Sequence, residues 1–214
     1  MSFIFICFAF YLIGSLPTAY ILVKLKHGKN ISEEGSGNIG AMNTYDVTNS
    51  KSDGIIVLLI DLLKGFIPVI WFVNYSGYDP EMILIPALFL LAGHNFSIWL
   101  KFKGGRGLAT GAGILLAVNY SLVVIWLMLY FVLYKLSKNV HIASSVALII
   151  LPMTLIVLQG LVFQFTNPAL KDSESELTFL FSFCSAVCII ILFKHIEPVL
   201  TYLKNKKTIN NNIH

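Results

Sequence analysis

Residues 108–134 read LATGAGILLAVNYSLVVIWLMLYFVLY, an apolar run of 27 residues. A bilayer-crossing helix needs about 20 residues, so this run is long for one helix and short for two. Charge decides between the readings, because lysine and arginine accumulate in cytoplasmic loops. If the run is a single span, Lys135 and Lys138 fall opposite Lys24, Lys26, Lys29, Lys101, Lys103 and Arg106. The tail lysines Lys204, Lys206 and Lys207 then lie outside, and the acidic stretch with Asp172, Glu174 and Glu176 lies inside. If the chain turns near Asn119-Tyr120-Ser121, every basic cluster shares one face. The other face holds Asp79, Glu81 and residues 171–176, with Lys171 its one cation.

Working outward, further apolar runs cover about 2–23, 54–73, 82–100, 140–163 and 177–196. Hydrophobic residues make up 57% of the 214-residue chain and charged residues 12%, about half the charge of a soluble domain. The expectation is an all-α integral membrane protein with seven transmembrane helices, six being the alternative. Its N-terminus is outside and its C-terminus cytoplasmic. Residues 1–203 form one polytopic domain, and 204–214 a frayed basic, Asn-rich tail facing anionic lipid headgroups. The apolar start of the chain has no preceding basic residue and no clear cleavage site, so it reads as the first span. Cys7, Cys184 and Cys188 all sit in apolar runs, which fits neither a disulfide framework nor a metal site.

Two loops on the basic face carry the chemistry. The first reads Glu33-Glu34-Gly35-Ser36-Gly37-Asn38-Ile39-Gly40-Ala41-Met42-Asn43. Its glycines free the backbone to expose successive N–H groups, a nest suited to an anion, with Ser36 and Asn38 adding side-chain donors. A flexible polar turn is the alternative. The second loop runs from Lys101 through Lys103, Gly104, Gly105, Arg106 and Gly107 to Thr110 and Gly111. Cations, free N–H groups and a helix N-terminus together favour an anion; the alternative is a lipid-headgroup anchor, which explains the cations but does not call for the glycines. Asp61 and Lys64 stand three residues apart in an apolar run, which favours an internal ion pair over a charge lining the site. His94-Asn95, Ser144-Ser145 and His195 with Glu197 are expected at the same membrane depth as the two loops.

The chain resembles the bacterial acyl-phosphate:glycerol-3-phosphate acyltransferases, the PlsY family. The resemblance is carried by Gly14-Ser15-Leu16-Pro17-Thr18-Ala19-Tyr20, Gly35 to Asn43 and Asp61-Leu62-Leu63-Lys64-Gly65, then by Gly93-His94-Asn95-Phe96 and Leu100 to Gly107. It implies transfer of a fatty acyl group from acyl phosphate to the sn-1 hydroxyl of glycerol 3-phosphate. The product is lysophosphatidic acid, for phospholipid synthesis, made at the cytoplasmic face of a bacterial cell membrane. The implied partners are the two substrates and membrane lipids, with no nucleic acid, metal or other cofactor. Substrate phosphate is expected to assist proton transfer.

By position, the resemblance implies catalytic roles for Ser36, Asn38, Arg106, Ser144 and His195. It implies substrate binding by Gly35, Gly37, Gly40, Asn43, His94, Lys101, Lys103, Gly104, Gly105, Gly107 and Thr110. The chain departs from the family's usual residues at Ser32 (Arg), Met42 (Thr), Asp46 (Arg), Arg106 (Lys), His141 (Ser) and Pro198 (Asn). These departures leave open a paralogue with another acceptor, or a catalytically inactive lipid-binding or regulatory membrane protein.

Overall fold

Leu16-Pro17 interrupts the first apolar run. Pro17 has no N–H to continue a helix, so α1 (Phe3–Ser15) ends and α2 (Thr18–His27) begins anew in a computed structural model that describes residues 2–167 and 173–211. Gly28 closes α2 with a positive φ of 68°. The first glycine loop follows, then α3 (Ala41–Thr48) and α4 (Lys51–Tyr75). Next come α5 (Leu84–Asn95), α6 (Leu108–Val118), α7 (Tyr120–Ser137), α8 (Val140–Val162), α9 (Ser173–Phe193) and α10 (Ile196–Asn211).

The fold is all-helical among the described residues, and five segments are long and apolar enough to cross a membrane. They are Phe3–His27, Lys51–Tyr75, Tyr120–Ser137, Val140–Phe165 and Glu174–Phe193. The expected seven are therefore not all of spanning length. At 12 and 11 residues, α5 and α6 extend less than about 20 Å each at 1.5 Å per residue. Large apolar side chains such as Ile55, Leu59, Ile67, Phe131 and Ile156 face outward, as lipid-facing residues must.

The break expected near residue 119 is present. Asn119 adopts an extended conformation between α6 and α7, and its side chain ties the start of α7 to the end of α8. Oδ1 accepts from the Ser121 N–H and hydroxyl, while Nδ2 donates to the Val162 carbonyl at 2.8 Å and to Thr166 Oγ1 at 3.0 Å.

Close helix pairing rests on glycine. A Cβ on Gly14 or Gly93 would collide with the backbone of the facing helix in the α1–α5 pair. The same holds for Gly65 and Gly113 in the α4–α6 pair. Among lipid-solvated helices, such small residues permit the backbone approach that dispersion attraction needs. Buried Leu90, Leu91, Ile114, Leu151 and Phe183 fill the centre. A second cluster of Ala19, Val23, Ile31, Ile39 and Val57 lies under the first glycine loop and anchors both of its ends.

Two expectations are corrected. The chain is not frayed from Lys204, since α10 continues to Asn211. Glu176 is buried in the first turn of α9 rather than displayed in an acidic loop. As expected, Asp61 and Lys64 form an internal ion pair, away from the large cavity described below. Lys171, Asp172 and residues 212–214 lie outside the described residues.

Candidate active site

The first glycine loop is organised by one buried side chain. Asn43 Oδ1 accepts from the Ser36 N–H at 2.8 Å, and its Nδ2 donates to the carbonyls of Asn38, Glu34 and Ile31 at 2.9, 3.1 and 3.3 Å. Asn43 is thus a hub that shapes the loop from behind. Gly35 and Gly37 adopt positive φ values of 57° and 68°, which glycine tolerates without a Cβ penalty. The Gly40 carbonyl takes the Thr44 N–H and hydroxyl as α3 starts.

The second loop is braced against α5. The Gly105 N–H donates to the His94 carbonyl at 3.0 Å, and the His94 ring lies where a Gly105 Cβ would go. The Gly105 N–H expected to hold phosphate is therefore already engaged. His94 is buried beneath the loop next to the Asp61–Lys64 pair and does not line the large cavity. Gly107 has a φ of 84° and opens α6. Within α6, Thr110 is buried, and its hydroxyl has no hydrogen-bond partner among the described residues. Lys101 is exposed at the edge of the loop.

Between the loops is a cavity of about 1150 Å³. Ser36, Gly37 and Asn38 form one side, Lys103, Gly104 and Arg106 another, and Asn139, His141, Lys194, Glu197 and Pro198 a third. Phe102, Phe193, Ile196, Leu200 and Tyr202 add apolar wall. The lining thus combines cations and other polar groups with apolar side chains.

The electrostatics favour an anion. Burial pulls the Arg106 guanidinium below its usual range, against the opposing influence of Glu197. Burial likewise lowers Lys194, with Glu197 raising and Arg106 lowering it further. Lys194 Nζ also lies 4.5 Å from the Phe96 ring centroid, a cation–π distance. A phosphate entering between Arg106 and Lys194 would relieve their repulsion.

Ser144 and His195, both expected to be catalytic, are buried in the wall and absent from the cavity lining. The His195 ring meets His141 edge-on, with centroids 6.0 Å apart. Its Nδ1 lies 3.0 Å from the Ile191 carbonyl oxygen, which assigns the proton to Nδ1 and the lone pair to Nε2. Burial, outweighing that bond, lowers its pKa to about 4, with Arg106 and His141 adding to the lowering. Residues 4–205 match the family described as glycerol-3-phosphate acyltransferase.

The chain belongs to the glycerol-3-phosphate acyltransferase family.

Family relatives include the Pelagibacter ubique glycerol-3-phosphate acyltransferase, 39% identical over 75% of this chain and 82% of that protein. The Ehrlichia canis protein of the same description is 32% identical over 92% of this chain and 93% of its own length. The fold is similar to the crystal structure of PlsY, an integral membrane glycerol 3-phosphate acyltransferase, in its glycerol 3-phosphate form. That likeness has a TM-score of 0.77 at 27% identity, covering 94% of this chain and 92% of that one. The lysophosphatidic acid form of PlsY gives a TM-score of 0.76.

Among the cavity residues of this family member that escaped the sequence reading are Lys194 and Asn139. Lys194 passes for an ordinary cationic anchor at the end of a span, although its adjacency to His195 was a usable signal. Asn139 reads as a helix cap, which it also is, accepting from the N–H groups of His141 and Ile142. Met42 and Asp46, the departures expected to weaken the acceptor side, are exposed on α3 and do not line the cavity.

Proposed function

We propose that this family member transfers a fatty acyl group from acyl phosphate to the sn-1 hydroxyl of glycerol 3-phosphate. The product is lysophosphatidic acid, and the reaction takes place at the cytoplasmic face of a bacterial membrane. The supporting observation is that the Ser36–Asn38 loop, the Gly104–Arg106 turn and Lys194 line one cavity together with apolar side chains. Both substrates carry phosphate, and the donor also carries a lipid tail.

In the step itself, the sn-1 oxygen attacks the acyl carbonyl and the carbonyl–phosphate bond breaks. The hydroxyl proton ends on the departing phosphate. An acyl phosphate is already activated, so the protein mainly positions two anions and stabilises charge as it develops. Ser36 and Asn38 supply neutral hydrogen-bonding groups, and Arg106 and Lys194 supply positive charge. Met42 and Asp46 lie apart from the lining, which supports an unaltered acceptor. The break at Asn119 and the gathering of basic loops support seven membrane passes with the C-terminus inside, α5 and α6 being short ones.

The test is acyl transfer by purified protein in liposomes, with palmitoyl phosphate and labelled glycerol 3-phosphate. Phosphate release and lysophosphatidic acid are scored separately. Product formation that depends on Arg106 is expected. Phosphate release without lysophosphatidic acid would count against this acceptor, and neither signal from folded protein would count against the enzyme reading.

A further inference from the structure

Arg106 Nη1 lies 3.5 Å from His141 Nε2, at the edge of the cavity both residues line. A guanidinium has donors only and keeps its charge at working pH. Nε2 must therefore offer a lone pair, which makes His141 the neutral ring with its proton on Nδ1. That Nδ1 is buried and has no hydrogen-bond partner among the described residues, so its N–H goes unsatisfied in this tautomer and the Arg106 contact alone selects it. The residue is held in place on two sides. Its backbone N–H donates to the capping Asn139 at 2.9 Å, and its ring packs edge-on against His195.

Arg106 also shares the cavity with Glu197, whose carboxylate acts on it electrostatically. A guanidinium on a flexible stem that swung fully onto Glu197 would be neutralised and lost to an incoming anion. A neutral acceptor orients the same group without cancelling its charge.

We propose that His141 is a positioning residue that holds Arg106 open toward a substrate phosphate at the Ser36–Asn38 loop. The inference rests on the reading of the cavity as a phosphate site. His141 acts through Arg106 and is assigned no contact with the reacting atoms.

The test uses the full chain in detergent and three measurements on wild type, His141→Ala and His141→Gln. These are the Kd for dodecyl phosphate by calorimetry, KM and kcat with palmitoyl phosphate, and the thermal midpoint. His141→Ala is expected to raise Kd and KM about tenfold, the size of one lost charge-assisted hydrogen bond. The thermal midpoint should stay near wild type, and kcat should fall by less than KM rises. His141→Gln, whose amide oxygen is also a neutral acceptor, should restore most of the affinity. Equal Kd for wild type and His141→Ala overturns the proposal. So does an equal loss in the Gln and Ala variants, the signature of a packing role. Wild type that binds the alkyl phosphate but transfers no acyl group overturns the acyltransferase reading alone, and the Kd comparison still decides the role of His141. Wild type that binds no alkyl phosphate overturns both.

Discussion

Lys64 Nζ lies 2.8 Å from Asp61 Oδ1 and donates to the Leu16 carbonyl at 3.0 Å. The ion pair therefore also covers a carbonyl released where Pro17 breaks the first apolar segment. Removing one partner of a buried pair strands a charge, at a cost of about 3–5 kcal/mol, whereas replacing both with apolar groups is often near neutral. Lys64→Met should lower the thermal midpoint in detergent sharply. The double variant Asp61→Leu, Lys64→Met should recover most of that loss. A double variant as unstable as the single one would show that the Leu16 contact dominates.

Arg106→Ala should reduce kcat/KM for acyl transfer about 100-fold or more, the effect of removing one donor aimed at developing charge. Arg106→Lys keeps the charge but loses the planar fork, so it should retain intermediate activity. Steady-state kinetics in liposomes with varied palmitoyl phosphate check both. Equal activity in all three proteins would remove Arg106 from the reaction.

Folding stability should depend on pH through His195, whose pKa falls from 6.5 to about 4 in the folded chain. The unfolded chain then binds more protons between those values. His195 therefore contributes fully above about pH 6.5, and its contribution is lost as pH falls toward 4, with a slope of at most about 1.4 kcal/mol per pH unit. Thermal midpoints measured from pH 7.5 to 4.5 should fall less steeply for His195→Gln than for wild type. Parallel curves would mean that the histidine is not what titrates.

Asn43→Ala should loosen the first glycine loop, because one side chain satisfies the Ser36 N–H and three loop carbonyls. A loss of about 1–3 kcal/mol is expected from the groups left unsatisfied. Weaker binding of alkyl phosphates should accompany it. Hydrogen exchange at residues 35–38 would rise locally if the hub role is correct and stay unchanged if it is not.

Much of the architecture was legible in the chain because bilayer length and charge sidedness are strong signals. The turn at Asn119 was expected from grouping Lys135 and Lys138 with the other basic clusters, and both glycine loops stood out by composition. Side-chain direction was less accessible. Ser144 and His195 lie at the expected ends of their helices, yet they point into the wall, because helix rotation is set by packing against neighbours rather than by local spacing. The hub role of Asn43 depends on contacts with four other loop residues. The pairing of Gly14 and Gly93 in α1–α5, and of Gly65 and Gly113 in α4–α6, was hidden because it joins segments far apart in sequence. The opposite difficulty arose at Asp46 and Met42, where sequence difference suggested consequence but the side chains are exposed and absent from the cavity lining.

With its Gly105 N–H committed to the His94 carbonyl and the ring of His94 filling the space beneath it, the second loop has its shape before any substrate arrives. Flexible loops lose part of their attraction for a ligand to the entropy of becoming ordered. Here that loss has already occurred during folding, so contacts with an incoming phosphate can appear almost wholly as affinity. The same rigidity makes the turn intolerant: a methyl group at residue 105 would meet the His94 ring and displace the loop from below, without touching any ligand held above it.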